Sequence, residues 1–499
     1  VPDSNGVMSF TNLNWTVARG ATGVLTVKCT ADSVIADSSD RFAVGVTSVT
    51  AQDQDANTIT VTTSAATNNL STGAPTNTPN AVVMTVQSAG TVSLTADNMP
   101  QSTILLAGKS GMRNDSWQRL AQYRATAQYE DMVIDRVMVS TTGYGVMFEE
   151  VGVAVAGAVR GSGRLSGLYN ASKDVLLTSP IVVPKDGSVV IQLMAKLSPV
   201  AASSSVGVAD ITSRSGQTVA MGIASNNTTD TEYDTNYATK FNVRVTGQAS
   251  GDRVYVATTT ATVLNQGLFG NTFVVRATKP TVSRVATSNS LQDNNPELYR
   301  FNVQADALAP VALKKVTFRL AASTSTNNAA GYTMSGFTVW KGGMAMNTND
   351  YSIVNASTGG SLKGLGSLTA PTTTYVVVSF TNPETIDAGT SQQYSLRAGT
   401  ISGTTVVGDA VSTSFLTQVS GTVYTGYLTT ATTTLAGTSV SPSGPNLAAE
   451  LDGAGVVAGT FVWSDISDTA GGTNESGDWT DDLYLQDLGN STVVRVTSV

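Results

Sequence analysis

Short runs of Val, Thr and Ile, separated by clusters of turn-forming residues, constrain the fold of this 499-residue chain more than any other feature. Examples are the runs 58–63, 133–139, 241–246, 311–318 and 375–380. β-branched residues fit the pleated surface of a strand, and alternation of apolar and polar positions places one face of the strand on a core. Many short strands at close spacing are typical of sandwiches and barrels rather than of βαβ units. We therefore predict an all-β fold with very little helix.

The segment 114–123 allows one alternative, because Asn114 or Asp115 is suited to the start of a capped helix. From Leu120 onward, however, the segment continues directly into strand-like sequence. We therefore interpret it as part of the β pattern.

Three short sequence matches indicate an internal repeat. Tyr123-Arg124 with Gln128 recurs as Tyr299-Arg300 with Gln304, residues 134–137 recur as 313–316, and residues 188–195 recur as 391–398. Because the matches occur in the same order, we predict two repeat units. A turn at 98–100 and the restricted residue before Pro280 suggest the boundaries. The predicted organisation is an N-terminal β domain at 1–103, a first unit at 104–280, and a second unit at 281–499 that ends in a strand region.

The charge balance and the missing residue types exclude several classes of function. The chain has 28 basic and 36 acidic residues, a net charge of −8, one Cys and no His. The absence of His excludes Ser-His-Asp triads, Cys-His pairs and His-ligated zinc. An acidic chain with few cations also argues against nucleic acid as a partner. No apolar run of about 20 residues occurs, so we predict no membrane span.

Several segments resemble the tandem Ig-like repeats of secreted bacterial surface proteins. They are Thr272–Pro280, Leu298–Val303, Val311–Phe318, the closing sequence Phe461-Val-Trp-Ser-Asp465, and Gly477–Asp481. The resemblance covers residues 104–499 and points to large exported proteins of small-genome candidate-phylum bacteria. It implies tandem Ig-like β-sandwiches in a structural or adhesive protein of surface layers or appendages, and it supplies no catalytic residues. The start at Val1 rather than Met is typical of signal-peptide removal, so we expect an extracellular location.

Clustered acids suggest calcium as the one candidate cofactor. The C-terminal set is Asp465, Asp468, Asp478, Asp481 and Asp482. Hard cations take carboxylate and carbonyl oxygens on turns, although neither this set nor the acids at 230–234 fits the EF-hand pattern. The alternative is that these are solvated loop acids, which keep an acidic surface soluble.

The N-terminal segment carries the candidate assembly strand. Its apolar residues, separated by polar ones, are Met8, Phe10, Leu13, Trp15 and Val17. A strand with one apolar face can add to the open sheet of a neighbouring subunit, where main-chain hydrogen bonds provide affinity. The alternative is an ordinary first strand of the first domain, and the closing segment 491–499 has the same two interpretations.

Three functions follow from these features. We predict a non-enzymatic structural subunit that binds copies of itself in an extracellular filament or surface layer. The alternative is a monomeric, rod-like adhesin that binds a host or matrix ligand at the cell surface. The third is a carboxylate-dependent polysaccharide-active enzyme, but the adjacent pairs Glu149-Glu150 and Asp481-Asp482 would point to opposite faces of a strand.

Overall fold

A computed structural model describes the chain over a set of ranges that cover both predicted repeat units and part of the N-terminal region. These ranges are 8–24, 26, 41–45, 49–61, 81–85, 90–143, 147–165, 170–200, 215–223, 240–257, 268–287, 289–403, 405–416, 425–426, 461–467, 479–480, 482, 484–485, 488 and 491–496. Every extended regular element within them is a β-strand, which confirms the predicted all-β class. Among these residues, no helix is long and apolar enough to cross a membrane.

The strands fall into three successive groups along the chain. The first group is β1 (Arg41–Gly45), β2 (Val49–Gln52), β3 (Thr58–Val61) and β4 (Ala81–Thr85). The second group is β5 (Thr91–Ala96), β6 (Ile104–Leu106), β7 (Gly108–Lys109), β8 (Met112–Arg113), β9 (Gln118–Gln128), β10 (Met132–Gly143), β11 (Phe148–Val155), β12 (Ala158–Arg164), β13 (Ser172–Val183), β14 (Ser188–Leu197), β15 (Thr218–Ile223), β16 (Lys240–Gly247), β17 (Arg253–Ala257), β18 (Leu268–Phe269) and β19 (Phe273–Arg276). The third group is β20 (Pro280–Val285), β21 (Glu297–Ala305), β22 (Val311–Ser323), β23 (Tyr332–Ser335), β24 (Thr338–Lys341), β25 (Met344–Ala345), β26 (Tyr351–Asn355), β27 (Ser367–Thr369), β28 (Thr372–Ile386), β29 (Ser391–Arg397), β30 (Thr400–Gly403), β31 (Ala410–Phe415), β32 (Thr425–Gly426), β33 (Phe461–Ser464), β34 (Trp479–Thr480) and β35 (Thr492–Arg495).

The chain divides into two compact units, 1–88 and 89–499. In the first unit β1 pairs antiparallel with β4, and β2 and β3 form a hairpin. The carboxylate of Asp53 accepts the backbone N–H groups of Asp55 and Asn57, which fixes the hairpin turn. The second unit begins at Ala89, and its first strand, β5, pairs with β9 in the following sandwich.

The first sandwich comprises β5 to β19 and has one shared core. One layer has the order β12-β11-β14-β9-β5, and the other has β17-β16-β10-β15-β19-β6 with β13 on the far side of β10. A single parallel bridge from Ala257 to Ser93 joins the two layers. Inward side chains of both layers form the core, among them Tyr123 and Ile191 from one layer and Ile134 from the other. The apolar positions of the alternating strands are therefore buried between the two layers.

The second sandwich comprises β20 to β35 and is built on the same plan. One sheet has the order β20-β21-β29-β24-β25, and the facing sheet has β26-β28-β22-β33-β34-β32, with β31 between β22 and β35. Its core is rich in aromatic rings. Phe301 and Phe415 meet edge to face at 4.9 Å between centroids, and Phe318 and Phe415 stack at 5.2 Å. The first contact spans the two sheets, whereas the second joins neighbouring strands β22 and β31 of one sheet.

The sequence repeat corresponds to equivalent strands of the two sandwiches. The three matched pairs of segments lie on β9 and β21, on β10 and β22, and on β14 and β29. The register differs between the copies, because Tyr123 lies opposite Ile191 whereas Tyr299 lies opposite Leu396, the counterpart of Leu193. A shift of two residues preserves which face of the strand is buried.

The segment 114–123 is a turn followed by a strand. Asn114 donates its amide to the Leu106 carbonyl and accepts the Ser116 N–H, so its side chain closes a turn. Strand β9 then begins at Gln118 and pairs with β14 and β5. The strand interpretation of this segment is confirmed.

A buried carboxylate organises one end of the first sandwich. Glu130, in the β9–β10 turn, is 9% exposed and accepts the N–H groups of Gly90, Ala249 and Ser250 and the hydroxyl of Ser250, at 2.7 to 2.9 Å. Burial by itself would raise the pKa of Glu130, but these hydrogen bonds outweigh it, and the pKa is lowered from its usual value. The carboxylate thus ties the start of the unit at Gly90 to the turn after β16.

The lowered pKa of Glu130 predicts a loss of stability in acid. The ionised carboxylate stabilises the fold above its unfolded-state pKa of about 4.3, and this stabilisation disappears as the pH falls through the lower folded-state value. We expect Glu130→Gln to reduce the free energy of unfolding at pH 7 by about 2–3 kcal/mol, since an amide cannot accept all these donors. Thermal melts between pH 3 and pH 7 should show a weaker acid dependence for this variant. The control Asp350→Asn changes an exposed turn residue and should leave both quantities unchanged.

Candidate functional site

The five apolar residues of the candidate assembly strand lie at the surface, on a segment that turns at residues 12–14, where the Asn14 N–H donates to the Asn12 carbonyl at 2.9 Å. Met8, Phe10, Leu13, Trp15 and Val17 are between 40% and 62% exposed. Residues 8–18 have no strand assignment, and no strand pairing joins them to the described part of their unit. Five large apolar side chains exposed within ten residues are unusual on a protein surface.

The C-terminal segment is, by contrast, part of its own sandwich. Strand β35 pairs antiparallel with β31, and the Val496 N–H donates to the Asp409 carbonyl. Val494 and Val496 are 2% and 3% exposed and belong to the second core. Of the two interpretations of 491–499, the structure therefore shows the ordinary closing strand over 491–496.

The predicted calcium set is described at two of its five positions. Asp465 is fully buried and Asp482 is 5% exposed, while Asp468, Asp478 and Asp481 lie outside the described residues, as do the acids at 230–234. Within the described residues, no three acidic or thiol side chains converge in an arrangement that would hold a metal ion. Calcium binding by the C-terminal acids stays a prediction.

Asp465 lies at a buried polar junction between the two sandwiches. It follows β33 of the second sandwich, and its Oδ2 accepts both the Ser215 hydroxyl and the Ala277 N–H at 2.7 Å. Its Oδ1 accepts the N–H of Ser467 at 3.2 Å. Ser215 and Ala277 belong to the first sandwich, so one carboxylate connects residues 250 and 188 positions away in the sequence. Hydrogen bonds to a charged acceptor are stronger than those between neutral groups.

A buried arginine extends the junction. Arg276 is fully buried at the end of β19 and donates from Nη1 to the Ser215 hydroxyl at 3.1 Å. Its guanidinium lies 5.6 Å from the ring centroid of Trp463 in β33. Ser215 therefore relays a hydrogen bond from a buried cation to the buried carboxylate of Asp465.

Apolar and main-chain contacts reinforce the same junction. Ile104 of β6 packs in the core of the second sandwich, and Ala309 of the β21–β22 turn packs in the core of the first. The Lys109 ammonium donates to the Ile466 carbonyl. The two sandwiches therefore share apolar as well as polar contacts within one compact unit.

The sequence alone indicated that some of these residues are of interest, but it did not indicate their role at the junction. The closing signature 461–465 was noted for its resemblance to surface proteins, and Asp465 as a calcium candidate. The structure places Phe461 and Trp463 in the second core and Asp465 on donors of the first sandwich. Ser215 and Arg276 were missed, because nothing in the local sequence links them to a segment so far away.

Comparison with known proteins yields only distant similarities. No protein-family model and no curated protein matches this sequence. A chaperone–tip adhesion subunit pre-assembly complex from the archaic chaperone–usher Csu pili of Acinetobacter baumannii is 10% identical, over 62% of this chain and 98% of that chain, with a TM-score of 0.17. A putative membrane anchored protein from Corynebacterium diphtheriae is 9% identical, over 65% and 90% of the two chains, with a TM-score of 0.11. TM-scores this low carry no argument about function.

The junction predicts a strong effect of a single substitution. Asp465→Ala would leave the buried Ser215 hydroxyl and Ala277 N–H without their acceptor, which costs about 3 kcal/mol. We expect the calorimetric melting temperature to fall by roughly 3–4 °C, with the transition broadening or splitting as the sandwiches uncouple. Asp350→Ala, which changes an exposed turn residue, is the matched control. An unchanged melt for Asp465→Ala would show that the junction does not couple the sandwiches.

The calcium prediction has its own test. A calcium ion held by the C-terminal acids would stabilise the folded state by mass action, by about 2.7 kcal/mol at a concentration 100 times its dissociation constant. A chelator should then lower the melting temperature, and excess calcium should restore it. A melting temperature that does not respond to either addition would leave the solvated-acid interpretation.

Proposed function

We propose that this protein is a structural subunit of a homopolymeric extracellular filament or surface layer, without enzymatic activity. In this proposal residues 8–17 of one copy add as a strand to a sheet of a neighbouring copy. The observation that carries it is the row of five large apolar side chains that stay exposed on the N-terminal segment. The extracellular location rests on the surface-protein resemblance of the sequence.

The exposed row can supply much of the free energy of such a contact. Completing the burial of five large apolar side chains that are about half exposed would contribute roughly 5 kcal/mol. Main-chain hydrogen bonds along the added strand would contribute about 0.5–1.5 kcal/mol each. The sum is of the size needed to offset the entropy that a subunit loses on association.

The geometry of the contact would favour an open assembly. A donor segment on one surface and an acceptor sheet elsewhere make the contact heterologous, so the same contact repeats from copy to copy. When such a contact does not close a ring, it produces a filament or a layer. The buried junction at Asp465 supports this role, since a subunit that transmits force benefits from sandwiches that cannot separate.

A rod-like adhesin is the second candidate, and one polar sheet face favours it. On β24 and β29, the guanidinium of Arg397 lies 4.0 Å from the ring centroid of Trp340. Glu297 on β21 accepts from both Arg397 and Arg300, so the polar groups of this face are held in fixed positions. A fixed aromatic ring among hydrogen-bonding side chains suits a polar ligand such as a glycan.

A pair of adjacent substitutions tests strand addition. Trp15 belongs to the apolar row, whereas the neighbouring Thr16 would point to the opposite face of an added strand. We expect Trp15→Asp to abolish filaments or lattices in electron micrographs of the purified full chain, and Thr16→Asp to leave them intact. Deletion of residues 1–17 should have the same effect as Trp15→Asp.

Each outcome has a definite meaning. The melting temperature of the sandwiches should be the same in all variants, which separates a loss of assembly from a loss of folding. If the chain without residues 1–17 still polymerises, strand addition by this segment is wrong. If the wild-type chain remains a monodisperse, rod-shaped monomer at high concentration, the adhesin replaces the assembly subunit as the favoured function.

A further inference from the structure

The apolar row of the N-terminal segment breaks strict alternation once, and the break has counterparts in both sandwiches. In the N-terminal row, Phe10 and Leu13 are separated by two polar residues instead of one. The buried row of β22 has the same spacing throughout. It consists of Val311, Leu313, Val316, Phe318 and Leu320, each at most 1% exposed. In β10 the buried row of Met132, Ile134, Val137, Val139 and Thr141 repeats this spacing.

In both central strands, a β-bulge lies at the break. Opposite β16, Ile134 and Arg136 face the adjacent residues Val245 and Arg244, so that Asp135 is the extra residue. A bulge places two residues of one strand against one residue of its partner and shifts the alternation by one position. Apolar residues on either side of the bulge therefore point to the same face.

The same arrangement occurs in the second sandwich. Opposite β33, Leu313 and Lys315 face the adjacent residues Trp463 and Val462, and Lys314 is the extra residue. Without the bulge, Val316 and the residues after it would turn away from the core, because a slip of one residue exchanges the two faces of a strand.

The N-terminal segment has an unusual backbone at the corresponding position. Asn12, one of the two residues at its break, has a φ of 61°. Asp135 and Lys314 have no positive φ, but a left-handed first residue is the other common form of a bulge. Asn is among the few residues other than Gly that adopt this conformation readily.

We infer that residues 8–17 add as a bulged strand, with the bulge at Asn12, to a sheet edge of a second copy of this chain. The bulge places all five apolar side chains on one face, toward the core of the acceptor. This inference rests on the proposed function and specifies how its donor strand is built. The core positions with this spacing are filled by β10 and β22, and β35 closes the second sandwich, so the added strand lies at a sheet edge and not inside a core. Bulges are common at such edges.

Three changes at one position test the bulge in the full-length chain. Asn12→Gly keeps the left-handed conformation, so its critical concentration for polymerisation should stay within about threefold of wild type. Asn12→Val disfavours that conformation and would turn one half of the row away from the acceptor, so the critical concentration should rise about tenfold or more. Deletion of Asn12 removes the extra residue and restores strict alternation of the five apolar residues. This variant should therefore polymerise like wild type.

The pattern of results distinguishes the bulge from strand addition itself. We expect polymerisation to be lost in Asn12→Val and kept in the Asn12 deletion only if the backbone conformation of Asn12, and not its side chain, controls polymerisation. Equal polymerisation of Asn12→Val and wild type, with no polymer from the chain lacking 1–17, would overturn the bulge and leave strand addition intact. Loss of polymer on deletion of Asn12 would also overturn the bulge. Polymer formed without residues 1–17 would instead refute the proposed function.

Discussion

The side-chain period of a strand is two, and the architecture of this protein depends on how the chain deals with that constraint. A sandwich buries one face of every strand, so a single extra residue would expose half of a core strand. The central strands β10 and β22 each contain one such residue and absorb it as a bulge, at Asp135 and Lys314. The bulges keep the apolar residues on both sides of the break on one face of each central strand. The apolar row of the N-terminal segment has the same spacing, but its side chains are exposed.

A chain with few charges uses several of its acids inside the fold. Glu130 accepts hydrogen bonds from turns at one end of the first sandwich, and Asp465 of the second sandwich accepts hydrogen bonds from the first. Asp409 is fully buried and accepts the N–H groups of Ser325 and Val406 and the amide of Asn328. Burial opposes ionisation of Asp409, but these hydrogen bonds outweigh it and lower its pKa. In this protein, buried carboxylates connect loops that strand pairing leaves apart.

The internal repeat shows which structural features the local sequence can predict and which it cannot. The matches of a few residues fall on β9 and β21, on β10 and β22, and on β14 and β29. The matches could not predict that the register between β21 and β29 is displaced by two residues relative to β9 and β14, since such a displacement leaves the pattern of buried positions unchanged. The local sequence of 114–123 also left helix and strand open, and the pairing of β9 with two neighbouring strands decided for the strand.

The sequence by itself determined the all-β class, the tandem organisation and the existence of an apolar row near the N-terminus, because alternation and turn chemistry are local properties of the chain. Tertiary structure alone decided which apolar segments are buried. Residues 491–496 close a sandwich, while the equally apolar segment 8–17 stays exposed. Tertiary structure also decided the role of Asp465, whose partners Ser215 and Ala277 are remote in sequence. Burial and long-range hydrogen bonds depend on which surfaces meet, and no local pattern contains that information.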